Sequence, residues 1–185
     1  MPADCTTATL LKAVHFATSQ HRGLSKKGMP DVPFVLHPLE VAETLADIGR
    51  ISDTNTLVAA ILHDTIEHAG TEELQIRELF GDVVLNIVLE VTDDKNLTSV
   101  ERRKAQLANI PSLSPSARLI RLTDKICNLG DRSQFPPSEW TEADLSVYRR
   151  WSRAVADRLR GTNAALDARY DQLFRQTAPD EIGNG

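Results

Sequence analysis

The chain has 185 residues, 41% of them apolar and 25% charged, enough for one domain whose core needs no disulfide or metal staple. A net charge of -5 and 5% aromatic residues argue against a general nucleic-acid surface, and the longest apolar run, Leu57 to Leu62, is too short to cross a membrane. Cys5 and Cys127 lack paired spacing, which excludes a disulfide framework or a cysteine zinc site; with no basic start or apolar run at Met1–Cys5, no secretory leader and a cytoplasmic location are expected.

Leu10, Leu11, Val14 and Ala17 recur at helical spacing and predict a first helix over about 7–20. A polar loop bearing glycine and proline follows, from Arg22 to Pro33. A second helix begins at His37-Pro38, turns Leu39, Val41, Ala42, Leu45 and Ile48 inward, and ends at Gly49. The third runs from about Asp53 to His68, with Ser52 or Asp53 as its cap and Gly70 as its stop. Its middle, Leu57-Val58-Ala59-Ala60-Ile61-Leu62, is apolar on every side, which predicts the centre of the domain. A short helix lies between Thr71 and Gly81, and another opens at Asp82 with Val83, Val84, Ile87, Val88 and Val91. Asp93 to Asn96 is a turn, and Ser99 to Ile110 reads as an exposed basic helix. Ser114-Pro115 starts a helix that continues to about Gly130, and Phe135-Pro136-Pro137 breaks the chain. Thr141 with Asp144 resembles a capping box for a helix ending at Gly161, and Asn163 caps a last helix to about Gln176. Neither alternating strand patterns nor internal repeats are present, so one all-α domain of roughly eight helices is expected, of the non-bundle kind.

The most informative feature is His63-Asp64, directly after six apolar residues. A carboxylate on a buried helix is costly unless it is paired, hydrogen-bonded or bound to metal. Glu67 follows His63 by four residues and His68 follows Asp64 by four, so all four groups share one flank of the helix. Imidazoles and carboxylates so spaced suit a nitrogen/oxygen metal site. Taken alone, the pair also reads as a satisfied core histidine and an aspartate paired to arginine. His37 at a helix start, and Asp124 with Asn128 and Asp131 on the polar face of the strongly capped helix, add a distant ligand and a polar wall.

The set His37, His63-Asp64 and Asp124 resembles the metal-binding signature of HD-domain phosphohydrolases. The phrases Phe34-Val35-Leu36-His37-Pro38, Leu62-His63-Asp64-Thr65-Ile66-Glu67, Glu90-Val91-Thr92-Asp93-Asp94-Lys95 and Leu122-Thr123-Asp124-Lys125-Ile126-Cys127-Asn128-Leu129 are similar to those of small alarmone hydrolases. These are single-domain relatives of the RelA/SpoT hydrolase domain, and Arg160-Gly161-Thr162-Asn163 fits the same family. The resemblance implies one helical HD hydrolase domain over 8–176, with tails at 1–7 and 177–185. It implies manganese-dependent removal of pyrophosphate from the 3′ position of a hyperphosphorylated nucleotide, with iron(II) or zinc as alternative ions. His37, His63, Asp64 and Asp124 would hold the metal. Glu67 and His68 would serve the attacking water as general acid/base or positioning groups. Lys26 and Lys27 match basic residues that flank base and phosphates, and Asn128 and Tyr148 match nucleotide contacts. The partner is then a small molecule, with no nucleic acid or membrane involved and a homo-oligomer left open.

Two positions depart from the family pattern. His68 stands where a second carboxylate is usual, which places a group titrating near neutral pH beside Glu67. Gly130 stands where arginine usually follows Asn-Leu, which leaves guanine against adenine preference, (p)ppGpp against (pp)pApp, open. A metal-dependent phosphohydrolase of another nucleotide and a catalytically silent nucleotide-binding domain remain the alternative readings. From the residues alone, Arg102-Arg103-Lys104 and the stretch from Arg149 to Arg160 read as solvated faces, the latter apart from one phosphate contact. Cys127 reads as a buried small hydrophobe.

Overall fold

The computed structural model describes residues 6–177, so most of the two expected tails, 1–5 and 178–185, lies outside the described residues. Among the described residues ten helices carry the fold: α1 (Thr6–Gln20), α2 (Leu36–Asp47), α3 (Thr54–Leu62), α4 (Thr65–Ala69), α5 (Glu73–Phe80), α6 (Asp82–Val91), α7 (Ser99–Asn109), α8 (Pro115–Gln134), α9 (Glu142–Leu159) and α10 (Ala164–Gln176). The all-α expectation is met, with ten helices where roughly eight were expected.

The capping residues act as their chemistry dictates. Asp53 accepts from the Thr56 amide at the start of α3, and Ser114 accepts from the Ala117 amide ahead of Pro115 in α8. Thr141 and Asp144 form a reciprocal capping box on α9, and Asn163 accepts from the amides of Ala165 and Leu166 on α10. Gly70 closes α4 in the left-handed conformation, with φ of 71°.

Three boundaries differ from the sequence expectation. The helix expected over 53–68 is broken at His63-Asp64 into α3 and α4. The His63 Nδ1 lies 2.8 Å from the Ala60 carbonyl and the Thr65 hydroxyl donates to the Leu62 carbonyl at 2.7 Å. Side chains thus take the carbonyls that a continued helix would offer to its own amides. The helix expected to stop near Gly130 runs on to Gln134, since a glycine costs a helix only about 1 kcal/mol and packing outweighs it. The loop from Arg22 to Pro33 contains a short antiparallel hairpin, β1 (Ser25–Lys26) and β2 (Met29–Pro33). Gly28 at its tip has φ of 86°, and a Cβ there would collide with the Phe135 carbonyl oxygen. The hairpin therefore sits close against the end of α8.

Helix α3 is central, packing against α1, α2, α6 and α8. Every residue from Thr56 to Leu62 is buried, and Leu45, Leu62, Leu85, Ile120 and Leu122 are fully so. Each such side chain contributes about 1.5–3 kcal/mol relative to exposure. The core thereby fixes the end of α3, the first turn of α2 and the middle of α8 against one another. Helix α7 is the exception: none of its residues is buried, and it lies over α9 and the 3-10 turn at Ile110–Ser112.

Candidate active site

The break between α3 and α4 puts His63 and Asp64 at one end of a cleft of about 310 Å³, facing His37 of α2 and Asp124 of α8. The His37 Nε2 lies 3.1 Å from Asp124 Oδ1 and 3.6 Å from Asp64 Oδ2. The His63 Nε2 lies 3.4 Å from Asp64 Oδ2 and 3.9 Å from Asp124 Oδ1. Nδ1 of His63 faces the Ala60 carbonyl and donates to it, which leaves Nε2 to face the cluster. That Nε2 is buried without a hydrogen-bond partner. In the neutral ring this nitrogen carries a lone pair, which two carboxylate oxygens repel unless a cation sits among them. Donor atoms of His37, His63 and Asp64 lie within 4.8 Å of one another, and Asp124 Oδ1 lies 3.1 and 3.9 Å from the two imidazole Nε2 atoms. The donor set fits a divalent ion that takes imidazole and carboxylate ligands.

Burial alone would raise the carboxyls of Asp64 and Asp124. At Asp64 the imidazoles of His63, His37 and His68 outweigh it and lower the pKa. At Asp124 the Lys125 ammonium, donating to Oδ2 at 2.7 Å, and the two histidines hold the group well below the usual range. Both groups are therefore ionised and ready to ligate. Burial opposes charge on His37, but the Asp124 hydrogen bond and the two carboxylates win and raise it.

Glu67 and His68 lie at the cluster's edge. The His68 Nε2 is 3.8 Å from Asp64 Oδ1 and 3.9 Å from Glu67 Oε1, and its ring packs 4.9 Å from Phe34. Burial, then the charge of Asp93, raise the Glu67 pKa. Glu67 accepts from the Asp93 amide at 3.3 Å and from Arg102 at 3.2 Å.

The remaining expected site residues also line the cleft, with different freedoms. Lys26 is 6% exposed and locked between Glu40 at 2.7 Å and Asp131 at 2.8 Å. Lys27 is exposed, 3.3 Å from Glu139 and over the Trp140 ring at 5.5 Å. The Asn128 amide donates to Asp124 and accepts from Arg132 at 3.2 Å, so it orients the Asp124 carboxylate. Tyr148 stands between Trp140 and Trp151, at ring distances of 5.5 and 5.6 Å. Gly130 does not line the cleft; a Cβ there would touch Leu173 of α10 at 3.7 Å.

Sequence reasoning missed several wall residues. Arg102 and Arg103, read as a solvated face, line the cleft from α7. Arg149 is buried and donates to the Phe174 carbonyl at the end of α10, so it is a structural clamp. Both tryptophans converge on the cleft; their rarity was the one signal available. The Cys127 thiol is pushed up to about 12 by burial, in keeping with an inert packing role.

This architecture and donor set define a class. The chain belongs to the HD-domain family, whose model matches residues 13–159. An HD domain implies a divalent metal, and the His37, His63 and Asp64 cluster is where this chain can hold one. More particularly, the chain is 41% identical over 167 residues to the guanosine-3′,5′-bis(diphosphate) 3′-pyrophosphohydrolase MESH1 of Xenopus tropicalis, covering 90% of this chain and 93% of that protein. It is 38% identical over 169 residues to the Homo sapiens protein of the same name, covering 91% and 94%. A solved structure described as a metazoan ortholog of SpoT that hydrolyzes ppGpp superposes with a TM-score of 0.88 at 37% identity, covering 91% of this chain and 95% of that one.

Proposed function

We propose that the protein is a metal-dependent alarmone 3′-pyrophosphohydrolase, converting ppGpp or pppGpp and water to GDP or GTP and pyrophosphate. The observation that carries this reading is the buried, unpartnered Nε2 of His63, facing two carboxylates in a cleft lined by cations. The names of the similar proteins support the same reaction. His37, His63, Asp64 and Asp124 hold the ion, and manganese is the expected one, with iron(II) and zinc accepted by the same donors. When bound, the ion lowers the pKa of a coordinated water and polarises a phosphoryl oxygen.

The residues of the chain divide the rest of the work. Glu67 takes a proton from the attacking water, whose oxygen bonds to the phosphorus bearing the 3′ oxygen. That phosphorus–oxygen bond breaks, and the 3′ oxygen receives a proton, with His68 beside Glu67 as the donor. Lys125 and Arg103 offset the charge of the phosphates, as phosphoryl transfer requires. Lys27 and the Trp140, Tyr148 and Trp151 wall hold the nucleoside, and Lys26 and Asn128 keep the wall and Asp124 in place.

The test is product analysis by ion-exchange chromatography. The manganese-loaded protein is given ppGpp, pppGpp, ppApp, pppApp and ordinary nucleotides in parallel. Equimolar pyrophosphate and GDP or GTP is the expected result; the adenine lanes read base preference. Intact alarmones with metal bound at stoichiometry would reject the proposal.

A further inference from the structure

Helix α7 has no buried residue and packs only the half-buried Leu107 against the core, yet its Arg102 side chain reaches Glu67 in the cleft. Nη1 of Arg102 is 3.2 Å from Glu67 Oε1, while the Asp93 amide holds the other oxygen, Oε2, at 3.3 Å. Both oxygens of the carboxylate are therefore committed, and its plane is fixed relative to Asp64 three residues earlier. The anchoring continues outward. Asp93 accepts from Gln106 of α7 and pairs with Arg121 of α8 at 3.5 Å. The α7 backbone is pinned to α9, where Trp151 Nε1 donates to the Arg103 carbonyl at 3.2 Å and Arg158 to the Leu107 carbonyl at 2.9 Å.

A capping box alone would explain why α7 is helical; it would not explain this aim. Arg102 is 35% exposed, against 13% for Glu67, so the arginine leaves solvent to reach a mostly buried carboxylate. A guanidinium suits the task, since its planar donors restrain orientation as well as charge. We propose that Arg102 is a positioning residue, which sets the Glu67 carboxylate from α7 so that docking of this surface helix completes the hydrolytic site. The inference rests on the role given to Glu67 above.

The experiment is steady-state kinetics of ppGpp hydrolysis by the manganese-loaded full chain and its variants. Arg102→Ala is expected to lower kcat by roughly 10- to 100-fold, the range typical of partners that orient a functional group, with KM within about threefold. Arg102→Lys should restore part of the loss. Lys104→Ala, an exposed neighbour on the same helix, should match the parent and serves as the control for charge on α7. In a Glu67→Gln background, itself strongly impaired, adding Arg102→Ala should change kcat by less than about twofold, because the two act as one unit. Metal content and far-ultraviolet circular dichroism should be unchanged throughout. A rise in KM with kcat preserved would overturn the proposal and make Arg102 a phosphate contact. A parent-like Arg102→Ala with an inactive Glu67→Gln would overturn the proposal while leaving the Glu67 role standing. A fully active Glu67→Gln would instead remove the Glu67 role, and any kcat loss in Arg102→Ala would then run by another route.

Discussion

At the scale of single residues, His63 at the α3–α4 joint and His68 in the last turn of α4 have opposite characters. His63 is buried, with one ring nitrogen facing a carbonyl and the other presented to carboxylates. Replacing it by alanine leaves Asp64 and Asp124 facing each other with less to hold a cation. His63→Ala is expected to lose stoichiometric metal and to lower pyrophosphate release well beyond about 100-fold, the upper range for outer partners of a metal ligand. Elemental analysis beside the chromatographic assay checks both. His68 is 43% exposed on its side chain and touches both Asp64 and Glu67 at under 4 Å. A general acid is worth roughly 10²- to 10⁴-fold, so His68→Ala should lower kcat about 100-fold while metal content stays at parent level. Equal kcat in His68→Ala and the parent would make the histidine a bystander and leave proton delivery to Glu67 or solvent.

At the scale of elements, α3 is the part whose packing matters most to the site, because its last turn carries His63. Leu62 is fully buried immediately before it. Leu62→Ala should cost about 3 kcal/mol, a fall in Tm of roughly 6–12 °C in calorimetry for a chain of this size. Much of this was legible in the sequence. The apolar run announces a buried helix, and Asp53, Ser114, Thr141 and Asn163 announce helix starts, because a cap acts on amides two or three residues away. The convergence of His37, His63, Asp64 and Asp124 was legible through motif order. The partners of Glu67 were not. Arg102 lies 35 residues along the chain, on a helix whose pattern is that of any solvated surface. The double pairing of Lys26 with Glu40 and Asp131 was hidden for the same reason, since it joins a hairpin to two helices. The break at His63-Asp64 escaped notice because side chains compete for carbonyls there without glycine or proline to mark it.

At the scale of the molecule, the core stands apart from the His37, His63, Asp64 and Asp124 cluster. The buried apolar side chains of α2, α3, α6 and α8 form one continuous cluster without help from an ion. Chelation should therefore abolish activity and lower Tm while leaving the helical circular dichroism signal in place. With free metal at 100 times its Kd the linkage is worth about 2.7 kcal/mol, or roughly 5–11 °C in Tm. Loss of helical signal at 25 °C on chelation would show that the cluster is structural. The cleft itself carries one more consequence. The sequence has two tryptophans, and both Trp140 and Trp151 line this cavity, with the Lys125 ammonium 4.4 Å from the Trp151 ring centre and Arg132 5.3 Å from that of Trp140. Indole emission is sensitive to neighbouring charge and to stacking by a purine. The tryptophan fluorescence of the protein is thus a report from the cleft, and an unlabelled optical titration reads ligand entry there.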